Sequence, residues 1–364
     1  MRIGIDIQAV LNRGGTGLSR YVSAFSQALV NCCAPNASFF QYKSNKYGAV
    51  NLSTPQRLFW ENFEMVSMAK KDSLDLLHVP AFSLPFKKIC PYVITVHDLI
   101  GIKFENQKGA ASRFYWKSWL PGSLKHADAI IAISEHTRND LIENLKINSS
   151  KIKVIRPSGH ESFRSDVSAE AIHFAKAKLG ICFPYFVTVG SFEPRKNLER
   201  VIKAFGRFLA QNRSMDAQLV MIGPQDFAQG RYFKDLCIQF GINEGQILAT
   251  GFVDHDVLNA LYAGAEALIF ASLYEGFGLP LLEAMASRCP VLASKRTSLP
   301  EVAGEAAAWF DPESIEDISD NMSLVFKNTS YQEDLRQKGL KRILNFSWEK
   351  CAQETFELYR KVLE

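Results

Sequence analysis

A chain of 364 residues with 47% hydrophobic and 22% charged side chains has an ordinary soluble globular composition and is too long for one core, so two domains of roughly 150 to 200 residues are expected. A net charge of +4 allows attraction to nucleotides or an anionic membrane surface, but without a dense Lys/Arg block it excludes a nucleic-acid binder. The seven cysteines show no C-x-x-C pair, which argues for reduced thiols and against a disulfide framework or zinc site. Met1-Arg2 leads straight into the first strand and no apolar run approaches the ~18 residues of a span, so a cytoplasmic protein without signal peptide is expected.

Arg2 to Ile7 reads as the first strand, and Leu18 to Leu29 as a helix with Leu18, Tyr21, Val22, Phe25 and Leu29 on one face. Between them, Gly15, Thr16 and Gly17 have part of the dinucleotide spacing G-x-G-x-x-G, but Arg20 stands at the third glycine, which weakens an NAD reading. Strands follow at Ser38 to Tyr42, Leu74 to His78, Tyr92 to His97, Ala129 to Ile133 and Ile152 to Ile155, with helices between. Such alternation makes a parallel sheet whose ligands bind beyond the C-terminal strand ends, where His97 and Asp98 stand. Arg57 to Lys71 and Arg113 to Leu120 mix basic with aromatic residues, as a lipid-facing surface or a helix core face would. The other six histidines show no paired metal spacing.

The apolar pattern lapses between Pro157 and Gly180, which places a linker there, with a helix over Ala169 to Leu179. Tyr185 to Val189 then opens a second series of strands, continued by Gln218 to Ile222, Ile247 to Thr250, Ala267 to Phe270, Val291 to Ala293 and Ala307 to Phe310. After the first comes Gly190, then Arg195 and Lys196, placed before a helix N-terminus, the wrong end for cations, so a further negative charge is expected beside them. Asp254-His255-Asp256 matches a D-x-D metal motif, but Asp256 reads as the cap of the next helix. Ser347 caps a C-terminal helix.

The stretch Ala271 to Leu292, ASLYEGFGLPLLEAMASRCPVL, organises the second half: strand, glycine loop, and a helix starting at about Leu279 with Pro280 in its first turn. Gly276 and Gly278 let the backbone approach an anion at the helix N-terminus, whereas Glu275 and Glu283 suit hydroxyl groups, which donate to carboxylates. A ligand that is part phosphate and part polyol, such as a nucleotide sugar, satisfies both.

The E-x7-E stretch with EGFGLP and LEAMA, followed by PVLAS and SLPEVAGEAA and preceded by GSFEPRKNL, resembles the donor site of retaining GT-B glycosyltransferases of the large group four, which includes bacterial mannosyltransferases. The likeness is dense over Tyr185 to Pro312 and looser before that; Arg288 departs from it, standing where the family usually has glycine.

The resemblance implies an α/β fold of two Rossmann-like doubly wound domains facing across a cleft: residues 1–168 for the acceptor, 169–346 for the nucleotide-sugar donor, and a C-terminal helix, 347–364, crossing back to the first domain. It implies that Glu275 grips the donor sugar and Glu283 the ribose, while Arg195 and Lys196 hold the pyrophosphate beside Gly190. The Gly15-Thr16-Gly17 loop would lie near the phosphates, the backbone at Phe252 and Val253 would meet the base, Phe277, Gly278 and Leu279 would line the donor, and His97 would contact the sugar. No metal or other cofactor is implied. Similarity of the N-terminal half to O-antigen and capsule enzymes points to GDP-mannose as donor and to a saccharide or lipid-linked saccharide as acceptor, with peripheral contact to an anionic membrane. The remaining readings are a UDP-sugar donor (glucose, N-acetylglucosamine or galactose), a sugar-nucleotide epimerase or hydrolase, a non-catalytic partner subunit and an NAD-dependent oxidoreductase.

Overall fold

A computed structural model describes residues 1–11, 17–33, 36–44, 46–47, 52–104 and 109–364; Gly15 and Thr16 lie outside them. The chain divides into two units, Met1–Gly159 with Phe346–Glu364, and His160–Asn345.

The first unit holds β1 (Arg2–Asp6), β2 (Ser38–Tyr42), β3 (Leu76–Val79), β4 (Tyr92–Val96), β5 (Ala129–Ala132) and β6 (Ile152–Val154), paired in parallel in the order β2-β1-β3-β4-β5-β6. β3, β4 and β5 are buried along their whole length, as the unbroken apolar runs LLHV, YVITV and AIIA require when helices cover both faces. Because β2 lies on one side of β1 and β3 on the other, the strand order reverses between β1 and β3, where such sheets open a crevice beyond their C-terminal ends.

The helix Gly17–Cys33 buries Tyr21, Val22, Phe25 and Leu29. The C-terminal helix Trp348–Leu363 packs in the same unit: Ser347 Oγ caps it by accepting from Lys350 N at 3.1 Å, Trp348 meets the Tyr21 ring edge-on at 5.5 Å, and the buried Tyr359 hydroxyl lies 2.5 Å from His78 Nδ1, 281 positions away.

The second unit holds β7 (Tyr185–Val189), β8 (Gln218–Ile222), β9 (Ile247–Gly251), β10 (Ala267–Phe270), β11 (Val291–Ser294) and β12 (Ala308–Phe310), parallel in the order β12-β11-β10-β7-β8-β9. Phe186, Val201, Phe205, Phe208, Leu219, Ile269 and Leu292 belong to its core, the helix Leu198–Gln211 supplying Val201, Phe205 and Phe208. Here the order reverses between β7 and β10. Each unit is thus a doubly wound, Rossmann-like α/β sheet.

Two expectations need correction. The first boundary falls between Gly159 and His160, before the expected 168/169, because the Phe163 ring packs on His255 and Tyr262 of the second unit and Ser162 Oγ lies 3.0 Å from His255 Nε2. The helix His255–Ala263 starts two residues earlier than expected, so Asp254 occupies its cap and Asp256 lies in the first turn.

Candidate active site

The loops leaving β7 and β10 flank the point where the second sheet reverses order, the place at which α/β sheets bind ligands. After β7, Pro194–Lys196 makes a single 3₁₀ turn, and Asn197, in the left-handed conformation at φ 60°, leads into the helix Leu198–Gln211. Asn197 Nδ2 donates to the carbonyls of Ala271 at 3.2 Å and Pro312 at 2.7 Å, and Leu273 N donates to the Arg195 carbonyl at 2.7 Å. These bonds fasten the two loops together.

At that seam Lys196 Nζ lies 2.6 Å and Arg195 Nη1 3.2 Å from the same oxygen, Glu275 Oε1. The three side chains are only 14%, 19% and 13% exposed, so water screens their attraction weakly. Arg195 Nε also donates to Glu193 at 3.0 Å, and Lys196 Nζ stands 5.1 Å from the Phe270 ring. Gly190 follows β7 at φ 148°, and a Cβ there would come within 3.3 Å of Lys196 Cδ, so glycine leaves the lysine stem its course.

The Glu275 loop is held from behind. Ser298 Oγ donates to the carbonyls of Glu275 and Phe277, and Glu275 N donates to Thr297 Oγ1 at 3.2 Å. Gly276 and Phe277 are buried, and Gly278 turns the chain into the helix Leu279–Ala286 at φ 112°, a left-handed conformation that side chains avoid. A Cβ at Gly278 would also strike Leu299 Cδ2 at 2.7 Å. The helix N-terminus, the end at which an anion is stabilised, therefore follows directly on the loop that carries Glu275.

Glu283 is 1% exposed, inside the helix Leu279–Ala286, and accepts from the Tyr262 hydroxyl at 3.4 Å. Phe252, 73% exposed, and Val253 follow β9, the far edge strand. Gly17, in the first unit, opens the helix Gly17–Cys33.

His97 follows β4 of the first unit. Its Nε2 lies 2.8 Å from the Pro80 carbonyl, which can only accept, so Nε2 carries the hydrogen and Nδ1 is left as an acceptor. Burial pushes its pKa down to about 4, against the opposing effect of Pro80, and the Tyr21 ring meets it edge-on at 4.5 Å. The neutral imidazole is a hydrogen-bond acceptor at neutral pH. Asp98 caps the next turn, taking Ile100 N at 3.0 Å.

Sequence reasoning missed the seam residues Asn197, Thr297 and Ser298. It also missed Gly223, at φ 141°, where a Cβ would lie 2.3 Å from the Gly190 carbonyl oxygen; the glycines directly after β7 and β8 were a readable signal of close backbone approach.

Comparison with known proteins agrees with this architecture. Residues 17–158 match the model described as Glycosyltransferase Family 4, and residues 173–342 the one described as Glycosyl transferases group 1. The chain is 31% identical to the serotype-specific mannosyltransferase WbdA of Escherichia coli over 289 residues, 79% of this chain and 35% of WbdA, so it spans about a third of that relative's length. It is 29% identical to the O-antigen chain mannosyltransferase B of Escherichia coli over 313 residues, 86% of this chain and 79% of that one. Among solved structures, sucrose-phosphate synthase from Thermosynechococcus elongatus matches with a TM-score of 0.77 at 18% identity, covering 100% of this chain and 99% of that chain. With two doubly wound units and matches running in chain order over both, the chain belongs to the GT-B glycosyltransferase family.

Proposed function

We propose that the chain is a retaining hexosyltransferase that moves mannose from GDP-mannose to a saccharide or lipid-linked saccharide acceptor in bacterial surface polysaccharide synthesis. The observation that carries the reading is the convergence of Lys196 and Arg195 on Glu275 at the reversal point of the second sheet. The names of the WbdA and mannosyltransferase B relatives support the sugar and the pathway class.

Breaking a sugar–phosphate bond places negative charge on the leaving diphosphate. Lys196, Arg195 and the amides of Gly278 and Leu279 stabilise that charge without a metal ion. Both cations meet Oε1 of Glu275, so Oε2 is available to accept from a sugar hydroxyl. Glu283 serves the ribose, the backbone at Phe252 and Val253 the base, and Nδ1 of His97 a hydroxyl of the sugar. With no second carboxylate assigned to the anomeric carbon, substitution proceeds on the front face. The acceptor oxygen bonds to the anomeric carbon as the carbon–oxygen bond to phosphate breaks, and the departing phosphate oxygen takes the acceptor's proton. Phe59, Phe63 and Phe114, 39%, 64% and 54% exposed, with Lys46 4.9 Å from the Phe59 ring, suit peripheral contact with an anionic membrane. No helix among the described residues is long and apolar enough to cross one.

Thermal shifts in EDTA with GDP, UDP, ADP, GDP-mannose, UDP-glucose, UDP-N-acetylglucosamine and NAD test the donor, since a ligand at ~100 times its Kd adds about 2.7 kcal/mol. Stabilisation by GDP and GDP-mannose is expected. A response to UDP compounds alone would replace mannose by another hexose, and one to NAD alone would overturn the reading.

A further inference from the structure

Beyond the C-terminal ends of β1 and β3, where the first sheet reverses its order, lies a cavity of about 10 Å³, large enough for one oxygen-sized group. Its polar walls are Asp6, Gln8, Arg57 and Glu61; Trp60 and Phe82 supply aromatic faces. Such a lining, carboxyls and an amide among aromatic rings, costs folding free energy unless every polar group finds a partner.

One group does not find it. Gln8, 5% exposed, fixes its amide by accepting the Ser44 backbone hydrogen at Oε1, 2.7 Å away, and its Nε2 has no partner among the described residues. Asp6 receives Gln8 N at 2.9 Å and Trp60 Nε1 at 3.3 Å, both on Oδ1. Glu61, fully buried, takes both the backbone and hydroxyl hydrogens of Ser83. It is buried next to Trp60 because Trp60–Glu64 is a π-helical segment, whose wider turn brings two successive side chains inward. Phe82 adopts φ 78°, unusual for a bulky residue, and its ring centroid lies 3.1 Å from the Arg57 guanidinium carbon. A donor is waiting opposite buried carboxyls in a space the size of one hydroxyl.

We propose that this cavity receives one hydroxyl group of the saccharide acceptor, the hydroxyl donating to the Asp6 carboxyl and accepting from Gln8 Nε2. This assignment of the acceptor subsite rests on the transferase reading. A hydroxyl is both donor and acceptor, so it satisfies the amide and the carboxylate together. Phe82, only partly buried, offers apolar surface to the carbon skeleton that carries it.

The test separates this subsite from the donor reading. Saturation-transfer NMR titrations with methyl α-D-mannopyranoside and methyl α-D-glucopyranoside are run on the full chain, wild type and Gln8→Glu, alongside thermal shifts with GDP-mannose and UDP-glucose. Gln8→Glu keeps the acceptor for Ser44 N and removes the donor; Gln8→Met is the substitute should Glu fail to fold. Expected is glycoside binding to the wild type, weakened on the order of tenfold in the variant, with the nucleotide-sugar shift unchanged. Equal glycoside affinity in both, or nucleotide-sugar binding with no glycoside saturation in the wild type, would overturn the subsite. Glycoside binding sensitive to Gln8 with no nucleotide-sugar shift would uphold the subsite and defeat the donor reading instead.

Discussion

Lys196 Nζ and Glu275 Oε1 stand 2.6 Å apart, joining the loop after β7 to the loop after β10. The lysine thus has a carboxylate partner within the protein, and the carboxylate is held in place by two cations. Such pre-orientation is what electrostatic stabilisation of a developing charge requires.

Removing either partner is expected to be costly for transfer. Lys196→Ala and Glu275→Ala should each lower the rate on the order of hundreds-fold, by analogy with losing a single electrostatic donor. Radiolabelled sugar transfer with saturating donor measures it. Near-normal rates in both variants would mean the chemistry lies elsewhere.

The proposed front-face substitution, with Glu275 gripped by two cations and not assigned as a nucleophile, predicts that the product keeps the donor's anomeric configuration. Proton NMR of the freshly formed glycoside reads this directly, and an inverted anomer would rule out front-face substitution.

Stability should depend on pH through Glu61. Burial raises its carboxyl from 4.5 to about 8, against the opposing hydrogen bond from Ser83. The folded state therefore keeps a proton that the unfolded chain has released, so this group's contribution is full below 4.5 and declines as pH rises to about 8. His78 and His97, lowered by burial from 6.5 to about 3 and about 4, act on the other side: their neutral folded forms lose stability as pH falls below 6.5. Between pH 6.5 and 8 the slope is thus assigned to Glu61. Thermal melts across that window should fall in the wild type and flatten in Glu61→Gln; parallel curves would contradict the assignment.

Arg288 follows the helix Leu279–Ala286 in the left-handed conformation, φ 57°, where glycine is usual. Its half-exposed ion pair with Glu333, 2.8 Å, contributes at most ~1 kcal/mol. Arg288→Ala loses the pair and keeps the strain, whereas Arg288→Gly loses both. Gly should therefore exceed Ala in stability by about 1 kcal/mol, the reverse of a helix interior, in urea unfolding.

The strands of both sheets were legible because parallel strands buried on both faces need continuous apolar runs, and YVITV, YFVTV and ALIF are such runs between turn residues. EGFGLP marked its loop because Gly278 must take a positive φ. The pairing of Lys196 with Glu275 was not legible, since 79 positions separate them and only the strand order brings their loops together. Glu61 was hidden for another reason: in an ordinary α-helical register it reads as one more charge in a basic aromatic stretch, and the π-helical segment alone turns it inward.

The hydrogen bond between His78 and Tyr359 also bears on how the chain reaches its native state. Since Phe346–Glu364 completes the unit begun by Met1–Gly159, the second unit is an insertion within the first, and all of its sequence leaves the ribosome before the first can be closed. Residues 160–345 should become protease-resistant in nascent chains while the first unit still lacks its final helix. The N-terminal sheet, made earliest, is then the last to be finished, and its exposed surface is the segment with most need of a chaperone.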